Sequence, residues 1–245
     1  MTSEEYIDKL KTTQAFAKLS KLKKRKLMSF EKDGVYDFGN EILYKLCEQY
    51  PKHKSEAQII AKTLFIGRVY AAALERTSKK KSPKEKRIDF YRLKVVPKIR
   101  ALNLDKEFLP LRKFSTLSSS NISKVIWLHK FLLEGTKRLS NNKKHSFCSK
   151  YLHFHFRELF FLFDTRALRA LMDLGIQARD APEEYKVSVS KLKTSQFDKS
   201  YKTYVLRCIA AREIINLITG KTMLSPRHLD NILLHCFKNR RKKVN

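Results

Sequence analysis

Apolar residues recur along most of this chain at the three- and four-residue spacing of helices, and they predict amphipathic helices separated by short polar breaks. Residues 200–219 carry the clearest stripe: Tyr201, Tyr204, Val205, Cys208, Ile209, Ile215 and Ile218 share one face, and Gly220 supplies the stop. Ser225 and Pro226 have the cap and first-turn chemistry for a further helix through Leu229, Ile232, Leu233 and Cys236. Upstream, residues 55–76, 88–102 and 122–139 read as helices, with the basic Ser/Pro stretch 78–87 breaking the first from the second. Residues 165–174 form another, opened by Asp164. Over residues 185–198 two readings stay open, because VSVSKLK alternates as a strand does yet is short enough for an extended loop.

Six Gly and six Pro in 245 residues are too few for the turns of a multi-stranded β fold, so the expected class is all-α. No internal repeat is apparent, and 42% hydrophobic content supplies a core for one domain spanning residues 1–245, ending in a basic tail at 238–245. The four cysteines, Cys47, Cys148, Cys208 and Cys236, are scattered among apolar neighbours, which suits reduced core thiols rather than a disulfide frame or a metal site.

Charge changes the picture most. The chain carries 53 Lys+Arg against 24 Asp+Glu, a net +29, as expected of a protein that sits on a polyanion such as nucleic acid. No apolar run reaches the roughly 18 residues that would cross a bilayer. The opening MTSEEYIDKL lacks the basic start and apolar core of a secretory signal, so the expected location is cytoplasmic. Basic residues are densest at 18–26, 79–87 and 238–243, where they predict phosphate contacts that are salt-sensitive and indifferent to base sequence.

Residues 143–171, KKHSFCSKYLHFHFRELFFLFDTRALRAL, join a basic turn, an aromatic helix, an apolar run at 159–163 and an aspartate at a helix start. The stretch resembles the part of the helix-hairpin-helix DNA glycosylase superfamily that runs from the hairpin turn to an aspartate opening the next helix. There D-[TR]-[RH]-[AV] follows an apolar run, and here Asp164, Thr165, Arg166 and Ala167 do so. The Gly-hydrophobic-Gly signature usual in that turn is absent. The resemblance implies a two-lobed helical fold with a hairpin-like element and a cleft near 140–170. It also implies that Lys143 and Lys144 grip the DNA backbone, with Lys150 and Arg166 as further nucleic-acid contacts. No cofactor is implied, and a monomer acting on double-stranded DNA is expected.

The same resemblance makes Asp164 the carboxylate that stabilises positive charge on the sugar as an N-glycosidic bond breaks. The residue type alone supports a second role equally well, since Asp is a favoured helix cap. Bifunctional members of the superfamily carry a nucleophilic lysine eighteen residues before the aspartate, where this chain has Ser146. A serine forms no imine, so the resemblance implies a monofunctional enzyme that leaves an abasic site. Lys143, Lys144 and Lys150 leave a displaced lysine open, although phosphate contact or a solvated helix face is the expectation for each. Candidates for a pocket around an extruded base are Arg68, Tyr70, Trp127, Tyr151, His153 and His155. His153 and His155 lie two residues apart on a helix and point to different sides, which argues against a metal pair.

SFCSKYLHFH followed by LFDTRA is also similar to compact prokaryotic glycosylases that defend against phages by acting on modified bases. That similarity implies a bulky modified cytosine, such as glucosylated hydroxymethylcytosine, as the target. An oxidised or deaminated base is the repair alternative. A non-catalytic DNA- or RNA-binding module also accounts for the charge and the aromatic helices, with Asp164 only as a cap.

Overall fold

The computed structural model describes residues 2–22, 24–30, 37–75, 90–139, 144–221 and 223–244. Among these the protein is all-helical, with thirteen α-helices and no strand. Helices α1 (Ser3–Lys11), α2 (Gln14–Ser20) and α3 (Lys24–Ser29) precede α4 (Asp37–Gln49) and α5 (Glu56–Val69). A single π turn, Tyr91–Val95, feeds α6 (Val96–Ala101), whose Pro97 has no N–H to give to a regular i−4 bond. Then come α7 (Leu104–Phe108), α8 (Ile122–Thr136), α9 (His145–His155), α10 (Thr165–Asp173), α11 (Glu183–Ser190), α12 (Lys199–Thr219) and α13 (Pro226–Val244).

Two helices organise the packing. Helix α9 is buried on nearly every side from Phe147 to Phe154, and α4, α5 and α8 pack around it, with α6 resting on α5 and α8. Helix α12 carries the stripe read from the sequence and packs against α2, α3, α8, α10 and α13. Asp198 caps its start by accepting the Tyr201 N–H at 3.0 Å, and Gly220 closes it at φ 68°, a conformation that costs glycine little. One continuous apolar core runs from Leu10 through both groups to Leu233.

Three expectations change. The helix read over 55–76 stops at Val69, and the chain folds back through Ala71 at φ 51°. Gly67 permits this return, since a Cβ there would meet the Ala73 Cα at 3.2 Å. Residues 185–198 are neither strand nor extended loop. Tyr185 and Val189, four apart, are buried on α11, while Val187 is exposed, so the helical spacing governs over the V-S-V-S alternation. Glu183 and Glu184 in the first turn favour the same outcome through the helix dipole, and a 3₁₀ turn at Thr194–Gln196 follows. The helix read over 88–102 is interrupted by the π turn just described.

Helices α8 and α9 pack on each other, but the turn between them, with Lys143, lies outside the described residues, as does the basic stretch 79–87. Among the described residues no helix is long and apolar enough to cross a membrane.

Candidate active site

Residues 159–163 place the aspartate. Residues 159–162 are buried and Phe163 half-buried, yet none is helical, so their backbone groups need partners from other elements. His153 donates from Nδ1 to the Phe160 carbonyl at 2.8 Å, Tyr201 donates to the Phe161 carbonyl at 3.2 Å, and Tyr204 to that of Leu162 at 2.6 Å. The Phe163 N–H donates to Ser149 Oγ at 2.8 Å. The run is thus pinned between α9 and α12, and its next residue, Asp164, emerges at the start of α10.

Asp164 caps that helix, accepting the Arg166 N–H on Oδ1 at 2.8 Å. The Arg166 guanidinium also reaches both carboxylate oxygens, at 3.1 and 3.3 Å. Lys150 Nζ stands 3.8 Å from Oδ2. Burial opposes ionisation of Asp164, but the Arg166 hydrogen bonds and the Lys150 charge outweigh it and hold the carboxyl below its ordinary range. Capping therefore does not compete with a chemical role, because the same contacts keep the group charged in a cleft.

The cleft has a volume of about 980 Å³ and is bounded by the end of α5, the start of α9, the start of α10 and α13. Phe30, Tyr70, Phe163 and Leu234 give it apolar and aromatic faces, and Arg166 and Arg227 give it cations. Ser146 and Lys150 both line it, one helical turn apart on α9. Lys150 is only 5% exposed, and its ammonium donates to Ser146 Oγ at 2.8 Å. Burial pushes its pKa down, against the pull of Asp164 and Asp230. A solvated helix face is thus excluded for Lys150, and a group so covered is poorly placed for an external phosphate. Lys144, at the start of α9, donates to the Ala73 carbonyl at 3.0 Å.

No family model, curated protein or solved structure matches the chain. The site is therefore read from its own geometry.

Of the residues assigned to a base pocket from the sequence, Tyr70 alone lines this cleft, and its hydroxyl donates to Asn40 Oδ1. Arg68 pairs instead with Glu75, which also accepts the Tyr91 hydroxyl at 2.5 Å. Trp127 stacks on Phe131 and under Lys124, away from the cleft. Tyr151 is fully buried and donates to His53 Nε2 at 2.7 Å. His153, also fully buried, accepts the Tyr44 hydroxyl on Nε2 at 2.6 Å, and burial takes its pKa down to about 3. His155 stacks among His53, Phe108 and Tyr151 beside a separate cleft of about 360 Å³. Arg68, Trp127, Tyr151, His153 and His155 thus lie outside the cleft; the last three belong to α9, and a helix buried nearly all round spends most of its aromatic rings on the core.

The sequence reading missed Arg227, Asp230 and Asn231, which α13 brings to the cleft. Their only signal was polar residues on the inner side of an apolar stripe. No cysteine lines the cleft, and burial pushes Cys47 and Cys148 up to about 12. Among the described residues no group of three or more His, Cys, Asp or Glu could hold a metal ion.

Proposed function

We propose that the protein is a DNA N-glycosylase that draws an extruded base into the Asp164 cleft and hydrolyses its bond to the sugar, leaving an abasic site. The observation that carries this is Asp164 itself: a carboxylate kept ionised at a helix N-terminus, in a cleft with aromatic walls and cationic edges. As the C1′–N bond lengthens, positive charge develops on the sugar, and a preorganised carboxylate stabilises it. Water then adds at C1′. The cleft volume falls in the range of small-molecule sites, and the faces of Tyr70 and Phe163 suit a stacked base. The net charge of +29 supports duplex DNA as the partner.

The narrower parts of the reading rest on the resemblance of residues 143–171: a modified base of phage DNA, such as glucosylated hydroxymethylcytosine, a defensive role and a monomer; the cytoplasmic setting rests on the opening MTSEEYIDKL, which lacks the pattern of a secretory signal. Incubation with duplexes carrying modified, oxidised, deaminated or ordinary bases tests it. Released base and alkali-labile sites are the expected products; binding without release from any of them defeats the reading and leaves a binding module.

Lys150 favours a second reading. Its amine is buried in the cleft beside Asp164 and depressed in pKa, so its nucleophilic free-base form is more accessible than that of a solvated lysine. Attack on C1′ would expel the base, and loss of the amine protons with opening of the sugar ring would give an imine that permits strand scission. Borohydride separates the two. Hydrolysis leaves nothing to trap, whereas a covalent adduct present in the wild type and absent in Lys150→Gln establishes the amine route.

A further inference from the structure

The cleft is lined by a second carboxylate, in a different state from the first. Asp230, on α13, is 6% exposed, and its Oδ2 accepts from the Arg227 guanidinium at 3.1 Å. Its Oδ1 is covered and has no hydrogen-bond partner, and the same holds for Oδ1 of the adjacent Asn231. An unpaired buried acceptor is costly, and two on adjacent residues that line the cleft mark a place where a donor or a proton relieves that cost. Asp164 meets no such shortage, since Arg166 saturates it.

Breaking an N-glycosidic bond sends its electron pair to the departing base, and the bond breaks more readily when that base is protonated as it leaves. Asp164, held ionised, has no proton to give. Resting on the glycosylase reading above, we propose that Asp230 is the acid of the reaction, protonating the leaving base directly or through one water while Asp164 stabilises the sugar. The C1′–N pair goes to the base, the base takes the Asp230 proton, water adds its oxygen to C1′, and the proton that water releases restores Asp230. The net reaction is hydrolysis, with no other reactant.

The electrostatics agree with this division. Burial raises the Asp230 pKa to about 6, over the opposing charges of Arg227 and Lys150, with Asp164 adding to the rise and Arg166 opposing it. Two carboxylates driven apart by their surroundings, one low and one near neutrality, is the arrangement that separates an electrostatic stabiliser from an acid. Two other ionisable groups face the cleft. His145 gives its Nε2 contact to Asp198 at 2.9 Å, and the His235 ring stacks on Phe30 at 4.2 Å.

The test is single-turnover base release between pH 5 and 8 from duplexes carrying uracil, hypoxanthine, oxidised guanine or glucosylated hydroxymethylcytosine, with wild type, Asp230→Asn, His145→Gln and His235→Gln. The wild-type rate should fall about tenfold per pH unit above roughly pH 6, as the required acid ionises. Asp230→Asn should be about a hundredfold slower at pH 6 and lose that limb. Its deficit should shrink when the released base carries a ring fluorine that lets it leave without a proton, which a merely structural role would not produce. A limb that persists in Asp230→Asn, or disappears in either histidine variant, overturns the proposal while leaving the glycosylase reading intact. Absence of base release by the wild type from every duplex removes both. Should the Asn variant not fold, Asp230→Glu keeps an acid in place and must retain the limb; its loss there also overturns the assignment.

Discussion

Helix α9 separates two ionisable clusters that look alike by titration and differ in every other respect. On one side Ser146 and Lys150 open onto the cleft with Asp164 and Asp230. On the other, Tyr151 and His155 meet His53, which gives its Nδ1 proton to Asp105 at 2.6 Å and accepts from Tyr151. Both clusters hold shifted groups: Lys150 and Asp164 lowered and Asp230 raised in the first, His53 and His155 lowered and Tyr151 raised in the second. Burial is the largest cause of every one of these shifts except the lowering of Asp164, which Arg166 and Lys150 impose against it, so shifted titration by itself does not mark a site. What distinguishes the cleft is a pair of buried acceptors without partners, Asp230 Oδ1 and Asn231 Oδ1, on adjacent residues that line it. In the His53 cluster the His53 ring is satisfied by Asp105 and Tyr151, and His155 Nε2 is buried without a partner.

The largest expected effect lies on the cleft side. Asp164→Asn keeps a capping oxygen and loses the charge, so single-turnover base release should fall about a hundredfold or more with the melting temperature nearly unchanged. Asp164→Ala should add about 1 kcal/mol of destabilisation from the lost cap. Full activity in the Asn variant reduces Asp164 to a cap and removes the contrast between the two clusters.

On the closed side, Tyr151→Phe strips His53 Nε2 of its donor. The expected cost is about 1–3 kcal/mol in denaturant unfolding, with base release unchanged below the melting transition. A loss of activity at constant stability would move this cluster into the functional site.

His129 sharpens the point that buried titration is a matter of stability. Its ring stacks on Tyr201 with centroids 3.5 Å apart, and burial lowers its pKa to about 3. Below about pH 6.5 the unfolded chain takes up a proton that the fold refuses, so stability is lost as pH falls through that window towards 3. His129→Phe keeps the stack and should lessen the fall in stability between pH 7 and 5 by about 1–2 kcal/mol, read as a smaller shift in melting temperature. His153, lowered in the same way, should retain its share of the acid sensitivity.

The smallest effect expected is a displacement of a pH profile. Asp164 acts ionised, so on the hydrolytic reading base release declines as pH falls through its lowered pKa. Lys150→Met removes one of the charges holding that pKa down, and the acid limb should move up by about one pH unit or less. An unmoved limb would show that Arg166 sets the Asp164 charge without help from Lys150.

Much of the fold was legible along the chain because its information is local. The stripe from Tyr201 to Ile218, the Gly220 stop, the Asp164 cap and the Ser225–Pro226 start each depend on residues within a turn or two of one another. The same local rules put Asp164 at a helix start, and the resemblance of residues 143–171 pointed to Ser146, but neither could sort the side chains of α9. Its residues from Phe147 to Phe154 are all buried, so no polar face showed which would meet the core and which the cleft. That sorting, the Tyr201 and Tyr204 hydroxyls that hold residues 161 and 162, and the arrival of Asp230 in the same cleft as Asp164 come from the docking of α12 and α13. Periodicity records which face of a helix avoids water. Only the packed structure decides which buried polar groups find partners there and which are left without one.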